Sequence, residues 1–220
     1  MKKYRTVLFL NIILIAIWIM AMQLEAYEKD YQINMTVEAD VPPEMVQEVR
    51  EAVERFSVEL LDSFVEDGWK VVLLTTFENV EGYESISKDA SVVGLINYQQ
   101  KTITIKGIPE FEYTVENIMV HEMCHYADYY WGGVSTSEEF FQLYDTYCSK
   151  GYITYSYFGI SVTGEYESDM AYAISSPQEF FAESLRDFLL HPEYLQTYYP
   201  EIHEYYRLAE FMQKRKDKEE

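Results

Sequence analysis

Positive charge is scarce in this chain of 220 residues. It has 17 lysines and arginines against 38 aspartates and glutamates, which gives a formal net charge of −21. Nucleic-acid binding depends on neutralising phosphates with lysine and arginine, so this balance excludes nucleic acid as an expected partner. The acidic surface is consistent with an exported protein that must stay soluble, and also with a preference for basic peptides.

Cysteine is scarce as well. Cys124 and Cys148 are the only two, so at most one disulfide can form. Cys124 falls within a predicted helix, where a small buried apolar residue is equally expected. We therefore expect two free, buried thiols, and pairing in an oxidising compartment is the alternative.

The N-terminus has the layout of a secretory signal. Three basic residues precede an apolar run over residues 7–22, which is the order of charge and apolar segment in a signal peptide. Cleavage after Ala26 would release the rest of the chain, and an uncleaved N-terminal membrane anchor is the alternative. No cysteine comes directly after the apolar run, so a bacterial lipid anchor is not expected. We expect a secreted or surface-tethered protein whose membrane contact is confined to residues 1–26.

Residues 27–220 are predicted to form one domain, because they suffice for a single buried core and contain no repeat or low-complexity linker. The segment 27–110 has the pattern of a β-α-β unit and a hairpin, and the segment 111–220 has helical periodicity almost throughout. The predicted class is α+β, a small mixed sheet followed by a mostly helical half, with the site at the junction. We expect strands at 31–37, 69–76, 91–98 and 102–106, and helices at 43–66, 114–130, 136–149, 176–190 and about 201–214.

The sequence His121-Glu122-Met123-Cys124-His125 has the HExxH pattern of zinc peptidases. Residues four apart lie on one face of a helix, so both imidazoles can bind one ion. Zinc accepts neutral histidine nitrogens and keeps one coordination position open in catalytic sites. Glu122 is placed to take a proton from water at that position and pass it to a leaving amine. Two of only four histidines fall in this apolar helix, which favours zinc binding over a chance surface pattern.

A tetrahedral zinc site needs a third protein ligand. His191 and His203 are the remaining histidines, and Glu179 is the carboxylate that we favour. Glu179 and Glu183 share one face of a predicted helix beside apolar residues, where carboxylates need a cation or hydrogen-bond donors. A capping box begun by Ser176 also accounts for Glu179, but it leaves Glu183 without a role. A zinc site uses both, because Glu183 can accept the outer N–H of a ligand histidine.

Two motif blocks, HEMCHYAD and SSPQEFFAES, resemble those of the lethal-factor-type zinc metallopeptidases. That family includes the catalytic domain of anthrax lethal factor and the clostridial Pro-Pro endopeptidases, which share an HExxHxxD helix and a later EFFAE helix. The resemblance covers about residues 30–214 and implies a zincin-like fold. It implies that His121, His125 and Glu179 bind Zn²⁺ and that Glu122 is the general base.

The resemblance implies further roles. The family has an oxyanion-stabilising tyrosine seven residues before the carboxylate ligand, where this chain has Tyr172, and Tyr166 is the alternative. Asp128, the last residue of the HExxHxxD pattern, is expected to orient a ligand or a loop. The strand over residues 92–97 is expected to pair with an extended peptide substrate, and ordinary core packing is the alternative.

The expected function is that of a monomeric zinc endopeptidase acting on extracellular or host proteins. One alternative is a non-catalytic exported module that binds zinc. Another is a toxin-like effector, although no segment resembles a translocation or receptor-binding domain. A preference for proline and a preference for basic residues at the cleavage site are both consistent with the family.

Overall fold

A small sheet comes first in the described chain and a set of helices follows it. The computed structural model describes residues 33–77, 80, 93–107, 115–155 and 172–209. The elements in chain order are β1 (Met35–Val37), α1 (Pro43–Val53), α2 (Val58–Glu66), β2 (Lys70–Leu74), β3 (Gly94–Asn97), β4 (Thr102–Lys106), α3 (Val115–Tyr130), a 3₁₀ helix (Val134–Thr136), α4 (Glu138–Lys150), α5 (Pro177–Leu190), α6 (Pro192–Tyr198) and α7 (Pro200–Leu208).

In the part of the chain that the structure describes, the sheet has four strands in the order β1-β2-β4-β3. β1 and β4 both run parallel to β2, whereas β3 pairs antiparallel with β4, so the predicted β-α-β unit and hairpin are both present. Four fully buried side chains lie opposite one another on one face of β2 and β4, namely Val71, Leu73, Ile103 and Ile105. Among the described strands this order leaves β3 at an edge, beside α3.

Helix α3 is the central element of the helical half. Almost all of its side chains are buried, because the sheet, α1 and α5 all pack against it. A helix that is buried on every side needs no polar face, which explains the apolar residues around its whole circumference. The helix ends in a Schellman turn: Gly132 has a φ of 82°, and the N–H of Gly133 donates to the carbonyl of Asp128 at 2.8 Å.

Two predicted helices differ from those observed. The single helix expected over 43–66 is wrong, because the chain is extended at Ser57 and α2 starts there, with the Ser57 hydroxyl accepting a hydrogen bond from the N–H of Leu60 at 3.3 Å. The last predicted helix begins at Pro200, and α6 before it was not predicted. Pro192 and Pro200 each occupy the first turn, where the missing N–H of proline costs no hydrogen bond.

Both cysteines are free, as expected, but Cys148 is exposed rather than buried. Cys148 belongs to α4, whereas Cys124 lies within the buried central helix α3. The predicted signal over residues 1–26 lies outside the described residues, as does Tyr166. None of the helices described has both the length and the apolar character required to cross a bilayer. The observed architecture is the predicted α+β class.

Candidate metal centre

Two helices position the candidate site. His121 and His125 lie one turn apart on α3, and Glu179 and Glu183 lie one turn apart on α5. The contact between α3 and α5 is the most extensive between any two described elements. The Ser176 hydroxyl accepts a hydrogen bond from the backbone N–H of Glu179 at 3.1 Å, so Ser176 caps α5. This cap involves only the backbone N–H of Glu179. The carboxylate of Glu179 points towards His121 and His125. The capping and metal-binding interpretations are therefore compatible.

The donor atoms of three residues form a nearly equilateral triangle. Nε2 of His121 lies 3.2 Å from Nε2 of His125, and each of these nitrogens lies 3.4 Å from Oε2 of Glu179. A tetrahedral zinc ion with bonds of about 2.0–2.1 Å separates neighbouring donor atoms by about 3.3–3.4 Å. The spacing therefore fits one face of a tetrahedral zinc site, and among the described residues it is the cluster that can hold a metal ion.

The hydrogen bonding of Glu179 also fits a cation. Its Oε2 atom is buried and has no hydrogen-bond partner among the described residues. A buried carboxylate oxygen without a partner is costly, so it needs a positive charge nearby. His191 and His203, the other histidines considered as ligands, lie elsewhere: His191 stacks on Tyr155 and His203 packs against Phe188.

Glu183 contacts His121 at the ring nitrogen that does not face Glu179. Its Oε1 atom is 2.9 Å from Nδ1 of His121, on the side of the ring away from Glu179. Oε2 of Glu183 accepts a hydrogen bond from the Thr154 hydroxyl at 2.8 Å, and Arg186 pairs with the same oxygen at 2.7 Å. Glu183 is therefore held in place, and it can fix the ring orientation and tautomer of His121.

The carboxylates make this centre a site for positive charge. Burial acts to lower the pKa of His121, but contacts with Glu179 and Glu183 outweigh it and raise that pKa to about 10. Burial acts to raise the pKa of Glu179, but the imidazoles of His121 and His125 outweigh it and hold that pKa far below the usual value. Surroundings that hold a proton between these groups also favour a divalent cation, which competes with the proton.

Glu122 and Tyr172 lie beside the triangle. Glu122 is 7% exposed, and burial raises its pKa, with the charges of Glu179 and Glu183 adding to the effect and the histidines opposing it. The Tyr172 ring lies 6.2 Å from that of His121. Burial and the neighbouring Glu179 raise the pKa of Tyr172 well above its usual value. The residue is 51% exposed as a whole, so it lies at the edge of the site.

Asp128 contacts a loop rather than the metal-site histidines. Its Oδ1 accepts a hydrogen bond from the N–H of Ser135 at 2.7 Å, and its Oδ2 accepts one from the Ser135 hydroxyl at 2.6 Å. These bonds fix the segment that follows α3. Of the two roles expected for Asp128, the geometry corresponds to orienting a loop.

Three residues near the site were not identified from the sequence. Arg186 and Thr154 hold Glu183, and Gly94 of β3 lies against Glu122. Arg186 had a usable signal, since it follows Glu183 by three positions on the same helix and can pair with it. Thr154 had none, because it lies on a non-helical segment remote in sequence from α5.

Comparison with protein-family models and with curated proteins gives no match. Among solved structures, the chain is similar to the Pro-Pro endopeptidase PPEP-2 from Paenibacillus alvei, with a TM-score of 0.56 and 17% sequence identity. The match covers 78% of this chain and 94% of that chain. A likeness at this identity shows the fold alone, which is the α+β architecture described above.

Proposed function

We propose that this chain is a zinc-dependent endopeptidase. The observation that carries the proposal is the triangle of His121, His125 and Glu179, in which a buried carboxylate oxygen lacks a hydrogen-bond partner among the described residues. The buried Glu122 next to this triangle supports a catalytic role, because a site that only binds metal has no need of it. The similarity of the fold to a Pro-Pro endopeptidase supports the same reaction class.

Zinc in this site would polarise the carbonyl of the scissile bond and strengthen water as a nucleophile. Glu122 takes the proton of the attacking water and passes it to the nitrogen of the leaving amine. Its raised pKa suits this task, because it holds the proton between the two transfers more readily than an ordinary glutamate does.

Two side chains assist this reaction. Tyr172 is protonated at neutral pH, as tyrosines with an ordinary pKa also are, so its hydroxyl can donate a hydrogen bond to the developing oxyanion. Oε1 of Glu183 lies 2.9 Å from Nδ1 of His121 and can accept the proton of that nitrogen, which would leave Nε2 of the ring free for the metal.

The substrate is an extended peptide that pairs with β3. Among the described strands, β3 has a neighbour on one side only, and its other side can accept a further strand. β3 also lies against α3, so a peptide added there runs past Glu122. The basic residues and apolar run at the N-terminus support action outside the cell.

Digestion of a peptide library with mass-spectrometric mapping tests the proposal. Peptides with a Pro-Pro bond belong in the library, since the similar structure is that of a Pro-Pro endopeptidase. We expect cleavage that a chelator abolishes and added zinc restores. Cleavage that persists with chelator contradicts the metal mechanism, and a folded, zinc-loaded protein that cleaves nothing favours a binding module instead.

Replacing Glu122 tests its role separately. We expect Glu122→Gln to keep zinc and to lower kcat by about 10²–10⁴-fold, because it removes the base and preserves the size of the side chain. Glu116→Gln is the matched control on the same helix, since Glu116 pairs with Arg55 at 2.9 Å instead of facing the site. Loss of zinc in Glu122→Gln, or an equal loss of kcat in Glu116→Gln, contradicts the role of Glu122 as the general base.

A further inference from the structure

Strand β3 and helix α3 approach most closely at Gly94. A Cβ built on Gly94 would lie 2.5 Å from Oε1 of Glu122, 2.9 Å from its Cγ and 2.7 Å from Cγ2 of Ile118. All three distances are under 3.0 Å, a separation that real Cβ atoms essentially never show. No other residue type fits at this position while Glu122 keeps its place.

The backbone does not explain this glycine. Gly94 is absent from the glycines with positive φ and forms regular antiparallel pairs with β4. Glycine inside a strand lowers stability, because it has the most conformational freedom to lose and no side chain to pack. A strand glycine without an unusual φ therefore marks a close approach, and here the approaching group is the Glu122 carboxylate.

We propose that Gly94 is a positioning residue for the general base: by presenting no side chain, it lets the Glu122 carboxylate lie against the edge strand, where the substrate and the attacking water meet it. The inference rests on the proposed peptidase function. A side chain at Gly94 would meet the branched Cγ2 of Ile118, which the helix holds near its backbone, and the flexible end of Glu122. The flexible group yields first, so the reactive carboxylate is displaced while the fold persists.

The kinetic test uses Gly94→Ala with Gly107→Ala as its matched control. A Cβ on Gly107 would also meet atoms at 2.8 and 2.9 Å, but both belong to Val41. With the best peptide from the library, we expect Gly94→Ala to lower kcat by about 10–100-fold, because a displacement of about 1 Å has this effect on catalysis. We expect KM and zinc content to change less than about threefold, and kcat of Gly107→Ala to stay within about threefold of wild type.

A stability cycle tests the contact without relying on activity. We expect Gly94→Ala to lower Tm by on the order of 5 °C in the otherwise wild-type chain. In a Glu122→Ala background the loss should be smaller, because the two contacts with Glu122 are gone and only the contact with Cγ2 of Ile118 remains. Gly107→Ala should lower Tm by the same amount in the wild-type chain and in Glu122→Ala, since a Cβ at Gly107 would meet Val41 and not Glu122.

Equal Tm losses for Gly94→Ala in both backgrounds overturn the inference and leave the proposed function intact. An unchanged kcat in an active Gly94→Ala enzyme overturns it as well. If the wild-type protein cleaves no peptide in the library, the proposed function fails and the positioning role fails with it.

Discussion

The two ends of helix α5 place a carboxylate oxygen in opposite surroundings. Towards the C-terminal end, Oδ2 of Asp187 accepts hydrogen bonds from the Tyr152 hydroxyl at 2.6 Å and from the N–H of Tyr155 at 2.8 Å. Towards the N-terminal end, Oε2 of Glu179 faces two imidazole nitrogens at 3.4 Å and has no hydrogen-bond partner among the described residues. Oδ2 of Asp187 is satisfied by close hydrogen-bond donors of the protein, whereas the nearest groups to Oε2 of Glu179 are the two metal-site imidazoles.

The pKa values of the two groups diverge accordingly. Burial raises the pKa of Asp187 to about 6, with Glu183 adding to the effect and Arg186 opposing it. For Glu179 the adjacent imidazoles outweigh burial and lower the pKa. A carboxylate with enough hydrogen-bond donors from the protein is a structural group, whereas one that faces imidazole nitrogens in place of such donors is suited to share a cation with them. This difference, rather than burial alone, distinguishes the candidate metal ligand from its neighbour.

The largest expected effect is on zinc affinity. We expect Glu179→Ala to weaken zinc binding by more than about 100-fold, which exceeds the usual loss for groups that only orient a ligand. Asp187→Asn should weaken it by less than about tenfold, because Asp187 contacts no metal ligand. Competition with a chromophoric chelator measures both. Equal losses in the two variants would break the distinction between the two ends of α5.

Tyr172→Phe sharpens the distinction between holding the metal and using it. We expect kcat to fall about 100-fold, because the variant lacks the hydroxyl that donates to the oxyanion. Zinc affinity should stay within about threefold, because the phenol is not one of the three donors. Steady-state kinetics and the chelator competition give the two readouts. A kcat close to wild type would exclude Tyr172 from the reaction.

Glu183→Gln should change the pH dependence of stability. The pKa of Glu183 is lowered from 4.5 to about 2, with burial opposed by Arg186 and by His121. A lowered folded-state pKa contributes stability above pH 4.5 that is lost as the pH falls towards 2. In urea unfolding with a chelator present, we expect the variant to be about 2 kcal/mol less stable at neutral pH. The difference in stability between the variant and the wild type should disappear as the pH falls from 4.5 towards 2. A difference that does not depend on pH would contradict a stabilising role for the ionised Glu183 carboxylate.

The smallest effect concerns the structural end of the helix. Tyr152→Phe removes a hydrogen bond to the buried Asp187, and we expect it to lower the free energy of unfolding by about 1–2 kcal/mol without changing zinc affinity. Tyr147→Phe is the matched control, because its hydroxyl donates at 2.6 Å to the exposed Glu201. Its loss should be under about 0.5 kcal/mol. Chemical denaturation measures both, and equal losses would mean that burial does not strengthen the Asp187 contact.

The fold was predictable where the pattern is local. The hairpin of β3 and β4 and the bounds of α3 and α5 follow from periodicity and from the cap at Ser176. The break at Ser57 was not predictable in this way, because the apolar spacing continues from α1 into α2. Periodicity reports which side chains are buried, and the same burial is compatible with one straight helix or with two short ones.

By itself, the sequence determined that two imidazoles share one face of a helix and that two carboxylates share one face of another, because spacing within a helix is local geometry. Only the tertiary structure decided that α3 and α5 meet with three donor atoms 3.2–3.4 Å apart, that Glu183 reaches the far side of His121, and that Gly94 leaves room for Glu122. These contacts join residues that are distant in sequence, and their positions depend on how the whole core packs rather than on any short segment.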